Sequence, residues 1–199
     1  SDQTAISGTF EFTEMPFDDL KNYWPDTLMT NARSWILGNV FDGVLSNFTV
    51  DFDIKPGEID LVQSGARPNA IDVDFSFRDA TVNYFPEQPY AFGVDGEGHV
   101  DGASLSMNMR DGTIENMYAP SGVALITDLM LDSAMLTIIA NVEGPADNAI
   151  SLLDGPRFGY PSKMGLKGEQ FSGHVIAEMG VQLPFRSDVT FEEVQFAAV

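Results

Sequence analysis

Between Asn47 and Ile54 large apolar and polar residues alternate without a break. Phe48, Val50, Phe52 and Ile54 form one set, and Asn47, Thr49, Asp51 and Asp53 the other. Successive side chains of a strand point to opposite faces, so the run predicts a strand with one apolar and one wetted side. The same period returns in Val73, Phe75 and Phe77, in Ala80, Val82 and Tyr84, and in Leu105, Met107 and Met109. It continues in Ala124 and Ile126, and in Leu136, Ile138, Ala140 and Val142. Late strands are predicted over Phe171 to Val181, with Val175 and Met179 in the apolar set, and over Val189 to Phe191 with Val194 and Phe196. Thr9–Thr13 is a short run of the same kind, and Glu192-Glu193 predicts a bulge in the last strand.

Two stretches depart from this period. Asp18-Asp19 precede Leu20–Trp24, a predicted helical turn whose acids sit favourably at its N-terminal end. Pro25 suits the first turn of a following helix, in which Leu28, Ala32, Trp35 and Ile36 recur at helical spacing and Gly38 or Gly43 marks the end. A smaller helix is predicted over Ala146 to Leu153. Turn chemistry punctuates the chain at Lys55-Pro56-Gly57, Asp95-Gly96, Asp101-Gly102 and Asp111-Gly112, the last two spaced like successive hairpins. No Pro/Ser-rich linker divides the sequence. The expected architecture is mainly β, one domain over 1–199. It comprises a long, curved antiparallel sheet over about 44–199, a short N-terminal helical segment over about 18–40, and one further small helix.

A sheet that is apolar on one side must bury that side against a second sheet, a helix or a ligand. Two short helices are too few to cover all these strands. A β-sandwich would close the face with a second sheet and imply no function. The alternative is a single bent sheet whose apolar side stays open as a groove. That groove would be lined by Phe48, Val50, Phe52, Ile54, Val73, Phe75, Phe77, Val82, Leu105, Met107, Met109, Leu136, Ile138, Val175 and Met179. Methionine adapts to irregular apolar partners, which suits such a lining.

Charge narrows the choice of partner. Thirty acidic residues against ten basic give a net charge of −20. Nucleic acid is excluded as a partner, since binding it requires Lys and Arg to neutralise phosphates. Docking on anionic lipid headgroups is disfavoured for the same reason. The acids are spread through strands and turns, as on a solvated outer face, with calcium binding as the sharper alternative. With no cysteine, disulfides, thiolate metal sites and a cysteine nucleophile are ruled out. No apolar run approaches the roughly 18–20 residues of a membrane-spanning helix. The N-terminus carries no basic segment followed by an apolar one, which leads us to expect a processed chain or an excised piece of a longer one.

Catalytic chemistry finds little support. His99 and His174, the only histidines, fall in predicted strands away from any nucleophile. A Gly-x-Ser-x-Gly elbow, a His-Glu-x-x-His pair and a phosphate loop are all missing from the sequence. Asp95-Gly96-Glu97-Gly98 with Asp101-Gly102 lacks the terminal bidentate Glu of a calcium loop. Glu11 with Glu14, or Glu192 with Glu193, could supply the paired acids of glycoside hydrolysis, but scattered carboxylates are expected at this acidity. Neither a metal nor a cofactor is expected. Arg33 is expected to pair with Asp26 or an early strand carboxylate, or to meet a headgroup at the groove rim. Trp24 and Trp35 are expected to pin the helix on the sheet or to close one end of the groove.

Three stretches together carry a family resemblance. The first is Tyr23-Trp24-Pro25 followed by Ala32-Arg33-Ser34-Trp35-Ile36, Asn39 and Gly43. The second is Ala80-Thr81-Val82-Asn83-Tyr84-Phe85-Pro86 with Pro89, Gly93-Val94-Asp95-Gly96, Gly102 and Leu105. The third runs from Val142-Glu143-Gly144-Pro145 through Leu152-Leu153 and Lys163-Met164-Gly165-Leu166 to Gly173 and Leu183-Pro184. In this order they resemble a module of AsmA-like proteins, nearest the YhdP-type branch of the superfamily that also holds TamB. The resemblance implies a periplasmic β-groove module of a Gram-negative envelope protein, inner-membrane-anchored by an N-terminal helix missing here. Its implied partners are phospholipid, whose acyl chains pass along the groove, and neighbouring groove modules of the same parent. About ten to twelve strands at ~4.8 Å spacing span roughly 50 Å, so a segment of a longer bridge is expected. The alternative function is a non-catalytic sandwich for ligand recognition or outer-membrane protein assembly, with a hydrolase last.

Overall fold

The computed structural model describes residues 5–63, 70–85, 87–155, 159–186 and 189–198. Its strands are β1 (Ile6–Pro16), β2 (Val40–Phe41), β3 (Val44–Ile54), β4 (Ile71–Val82), β5 (Ala91–Val100) and β6 (Leu105–Arg110). They continue with β7 (Gly112–Ile114), β8 (Met117–Thr127), β9 (Met135–Pro145), β10 (His174–Pro184) and β11 (Gln195–Ala198). All eleven belong to one antiparallel sheet, ordered β1-β3-β4-β5-β6-β8-β9-β10-β11, with β2 on β4 and β7 between β5 and β8. The mainly β expectation holds. The sandwich alternative does not, because every described strand is hydrogen-bonded into the same sheet.

Register carries the apolar rows from strand to strand. Phe48 faces Phe12, Val50 faces Phe10 and Val73, and Val73 faces Val100. Leu105 then faces Ile126, which faces Leu136, which faces Leu183. Since a one-residue slip would turn each set to water, this alignment fixes the pairing.

Several strand boundaries differ from the sequence expectation, for one physical reason. The run at Val73–Phe77 and the start of the run at Ala80–Tyr84 belong to a single strand, β4, which ends at Val82, short of Tyr84, and is interrupted by a bulge at Asp79, whose φ is 54°. Asp95-Gly96 is no turn but the middle of β5. Asp111-Gly112 is no hairpin either. It kinks one path, β6 into β7, along the same neighbour β5, and the reversal comes at Glu115-Asn116. Asp79, Gly93 and Asp111 all have positive φ and sit side by side, the carboxylate of Asp79 and the carbonyl of Asp111 each 3.9 Å from where a Gly93 Cβ would stand. A bulge bends its strand, so the Asp and Gly residues that read as chain reversals instead bend the strands along one line. Asp101-Gly102 is a true turn, with the Asp101 carboxylate accepting from the Ala103 and Ser104 amides at 3.0 and 2.8 Å.

The helical segment is shorter than expected. A 3₁₀ turn spans Phe17–Asn22, and the helix α1 runs over Thr30–Asn39 rather than starting at Pro25. Between them the chain doubles back: Trp24 Nε1 donates to the Leu28 carbonyl at 2.9 Å, and Met29 takes φ 51° immediately before the helix. Gly38 lies inside α1, which stops where Val40 becomes extended. A short helix α2 (Ile59–Gln63), unforeseen, sets buried Val62 against Ile71 and, beside them, Val50, Phe52 and Ile54. The helix α3 (Ala146–Leu153) falls where the sequence predicts it, and α4 (Tyr160–Lys163) follows. Residues 191–193 form a 3₁₀ turn rather than a bulged strand. There the Thr190 amide and hydroxyl both donate to the Glu193 carboxylate at 3.0 Å, holding the chain in a loop.

Phe17, Leu20, Ala32 and Trp35 bury themselves on the apolar face of the sheet. Trp35 packs against Phe185 with ring centroids 5.1 Å apart, in a cluster with Leu105, Ile126, Leu136 and Leu183. Burying side chains of this size stabilises by about 1.5–3 kcal/mol each. The helical segment is thus a partial lid on a face that would otherwise meet water.

Candidate functional site

Below the lid an apolar cavity of about 310 Å³ remains. Residues from β1, β2, β3, β4, β5, β6, β8 and β9 line it, together with the 3₁₀ turn, α1 and the loop between them. Six inter-strand gaps of ~4.8 Å separate β1 from β9 along the sheet, so the lining crosses the strands over roughly 30 Å of sheet. None of its lining residues among those described is charged. Of the polar side-chain atoms there, the Trp24 indole N–H is spent on the Leu28 carbonyl, which leaves the Trp35 indole and the hydroxyl of exposed Tyr23. Such a surface offers mainly dispersion and water exclusion.

Most of the residues expected to line a groove meet here. Phe48, Val50, Val73, Phe75, Phe77, Val82, Leu105, Met107, Met109, Leu136 and Ile138 all line the cavity, as do Trp24 and Trp35. Phe52 and Ile54 do not; they pack at the far end of β3 with the α2 cluster. Met179 lines a smaller cavity of about 40 Å³ further along the same face, together with Val142 and Val181. Val175 pairs with Gly144, half-buried, and lines neither cavity. Arg33 forms none of the carboxylate pairs expected of it. Its Nε donates to the Trp24 carbonyl at 3.0 Å and Nη2 to the Lys21 carbonyl at 3.4 Å, so it stitches the lid together. Pro86, part of the second family-like stretch, lies outside the described residues.

Two contributions went unread in the sequence. Phe10, Phe12, Phe48, Phe75 and Phe77 form a chain of rings with successive centroids 6.1, 4.5, 6.4 and 6.2 Å apart. The signal for the first two was present in Thr9–Thr13, as one more period-two run. The second is the missing side chains of Gly96 and Gly98. These glycines of β5 stand opposite Met109 and Met107 of β6 on one side and Phe77 and Phe75 of β4 on the other. A Cβ on Gly98 would lie 2.3 Å from Phe75 Cζ, and one on Gly96 2.5 Å from Phe77 Cζ. The rings therefore lie across bare backbone. Asp95-Gly96-Glu97-Gly98 is itself a period-two pattern whose inner members happen to be glycine.

The outer face carries the charge. Arg78 pairs with Glu14, and the Thr9 hydroxyl donates to Asp51. His99 Nδ1 meets an Asp74 carboxylate oxygen at 2.9 Å, which raises the imidazole pKa above its ordinary value, and Asp72 stands 3.8 Å from Nε2. Asp72, Asp74 and His99 are the one group among the described residues close enough to share a metal ion. They lie on the wetted face, with His99 hydrogen-bonded to Asp74 alone, and none of the three lines the apolar cavity. Near the small cavity, burial and secondarily Glu115 push Tyr84 up to about 12, so its phenol stays neutral at physiological pH.

A family model described as "YhdP protein" matches residues 1–195. No curated protein and no solved structure matches the chain.

Proposed function

The chain belongs to the YhdP family, and from that membership and the apolar cavity we propose that it binds phospholipid acyl chains and passes them along a bent sheet between the bacterial inner and outer membranes. The observation that carries this reading is a charge-free cavity lined by eight strands of a protein whose net charge is −20. At roughly 30 Å³ per water-sized group, the void takes about ten methylenes. Removing ten methylenes from water is worth about 8 kcal/mol at ~0.8 kcal/mol each. A surface whose hydrogen-bonding groups are confined to Tyr23, Trp24 and Trp35 on the lid side gains that energy along the sheet nearly alike and so does not trap the chain at one position. The remaining carbons of a 14–16-carbon tail continue past Ile138 toward Val181 and Met179. The acidic outer face keeps the module soluble and away from anionic bilayers between the two ends of the path.

On this reading the chain is one module of a periplasmic bridge whose parent is anchored in the inner membrane, with neighbouring modules extending the trough. The role needs no catalysis, and directionality comes from a gradient or a partner. Native mass spectrometry with lipid extraction tests it. The protein purified from a bacterial envelope should retain phospholipid, and Phe75→Asp, Met107→Asp and Ile138→Asp should each lose it. Because an acid in the core can unfold the protein, Ala124→Leu serves beside them: it adds carbon to the void, and circular dichroism reports whether the fold survives. Lipid retained in full by a folded Ala124→Leu and by the Asp variants would sink the proposal.

A further inference from the structure

The charge of the outer face is unevenly spread. Two rows of side chains cross β6, β8, β9 and β10 on that face. One runs through Ser106, Leu125, Thr137 and Gln182, the other through Asn108, Val123, Ile139 and Gly180. Thr127 and Met135 begin a third row beside Leu125. Alternation fixes their side, because intervening residues such as Met107, Ala124 and Ile138 line the apolar cavity. None of these outward residues is charged, in a chain with 30 acids. Followed past β6 onto β5 and β4, the first row becomes His99 and Asp74, and the second Glu97 and Ser76. Val123, Leu125 and Ile139 are 47%, 43% and 40% exposed, and Val123 stands directly opposite Ile139. An exposed apolar patch rimmed by Ser, Thr, Asn and Gln is the composition of a docking surface.

The size of the patch narrows the occupant. Four strands at ~4.8 Å and three alternate positions at ~6.8 Å give about 400 Å². A second copy docked face to face would bury about half of the ~800 Å² per partner usual in a stable interface. An extended segment would leave its backbone unpaired, since the ladder of a sheet face is already complete. A helix satisfies its own backbone, is ~10–12 Å wide, and spans the ~20 Å of the patch in about 14 residues. Its i and i+4 side chains repeat at about 6 Å, close to the ~6.8 Å between strand positions such as Val123 and Leu125.

The surroundings set its charge. A helix lying along β8 and β9 turns one flank toward β5, where Glu97 is exposed and its carboxylate has no hydrogen-bond or ion-pair partner among the described residues. Asp74 counts for less, being engaged by His99. We propose that this face docks an amphipathic helix of a partner protein, with its apolar stripe over Val123, Leu125 and Ile139 and Lys or Arg on the flank toward Glu97. The aspartates of β3 and β4 add long-range attraction, and the uncharged patch supplies the contact itself. The helix site does not depend on the acyl-chain reading, since it lies on the opposite side of the sheet from the cavity.

Titration of the ¹⁵N-labelled full chain with a synthetic peptide of about 14 residues, leucines on one helical face and lysines along one flank, tests the site. A scrambled peptide of the same composition and one with Glu in place of Lys are the controls. Amides of residues 121–127 and 137–141 should shift with the first peptide only, and those of α1 should stay in place. Leu125→Thr combined with Ile139→Thr, both at exposed strand positions, should weaken binding at least tenfold while circular dichroism stays unchanged. Glu97→Gln should weaken it about threefold, a difference that added salt erases. Absence of binding, equal binding of the scrambled peptide, or unchanged affinity in the double variant would overturn the proposal. Sedimentation equilibrium and flotation with phosphatidylcholine vesicles examine the other occupants. A dimer, or vesicle binding, that the double variant loses would give the face to a second copy or to a bilayer and equally overturn the helix site.

Discussion

Gly98 and Phe75 offer the sharpest test of how the trough is built. All three nearest neighbours of a Cβ on Gly98 are atoms of the Phe75 ring, at 2.3, 2.8 and 2.8 Å. Overpacking of this kind costs about 1–3 kcal/mol, offset by roughly 0.5–1 kcal/mol of backbone entropy recovered on replacing glycine, so Gly98→Ala should lose about 1–2 kcal/mol. Phe75→Ala should lose about 3 kcal/mol, the low end for a large aromatic, because the ring is only half-buried. Together they should lose no more than Phe75→Ala alone, a coupling of at least about 1 kcal/mol, since the new methyl then occupies space the ring has left. Gly96 behaves differently. A Cβ there would stand 2.4 Å from the Asn108 carbonyl as well as 2.5 Å from Phe77. Removing the Phe77 ring leaves the backbone clash in place, so Gly96→Ala and Phe77→Ala should combine within about 0.5 kcal/mol of additivity. Urea unfolding followed by far-UV circular dichroism, with slopes compared across the set, measures both cycles. A costless Gly98→Ala, or rescue of Gly96→Ala by Phe77→Ala, would refute the picture of rings lying over bare backbone.

Further outcomes follow from single sites. Gly38 sits exposed inside α1 with nothing within 4 Å of where a Cβ would stand, so Gly38→Ala should stabilise by about 0.5–1 kcal/mol in the same assay. Trp35→Ala should cost about 3–5 kcal/mol and free the lid, read as lost urea resistance and faster amide exchange over Thr30–Asn39. Glu193 is held down at about 2 by Arg186 and by the Thr190 amide and hydroxyl. Its contribution should be whole above the ordinary carboxylate range and fade as pH falls toward 2, so the stability gap between wild type and Glu193→Gln should close over that interval. The raised pKa of His99 has the opposite sign: the Asp74 contact stabilises fully below the ordinary histidine range and is lost as pH climbs through the raised value. An imidazole titration by NMR should therefore move downward in Asp74→Asn.

The sheet and most of the cavity lining were legible because alternation is a local property that pairing preserves. Phe48, Phe75, Leu105 and Ile138 could be assigned to one face without knowing which strands were neighbours. Bulges were not legible. Asp79 and Asp111 carry the same residue chemistry in a kinked strand as in a hairpin, and only the pairing of β4 and β6–β7 with β5 separates the two. The loss of Phe52 and Ile54 to a separate cluster has a similar origin. Helix α2 is five residues long, too short to announce itself by periodicity, yet it covers that end of β3. A polar pocket at the rim of the sheet was the least legible, since the β4–β5 loop, the β7–β8 turn and the end of α3 are far apart in sequence and only the fold brings Asn83, Glu115 and Gly155 together.

On the proposed reading, the lid explains how an oily face of eight strands can persist in water and still admit an acyl chain. α1 has ten residues, no side-chain cap, no acid in its first turn and no base in its last. A helix of that length is marginal by itself, so its order depends on contact with the sheet. The main anchors of the lid, Phe17 and Leu20 of the 3₁₀ turn and Trp35 of α1, contribute about 1.5–3 kcal/mol each. The ten methylenes that the void takes contribute about 8 kcal/mol on the proposed reading, a sum of the same size. An acyl chain and the lid are thus near-equal competitors for the same apolar area. The trough stays covered when empty, and a lipid that slides under or displaces α1 meets no deep minimum to leave. A longer, well-capped helix packed on the same residues would close the face more firmly and turn a path into a core.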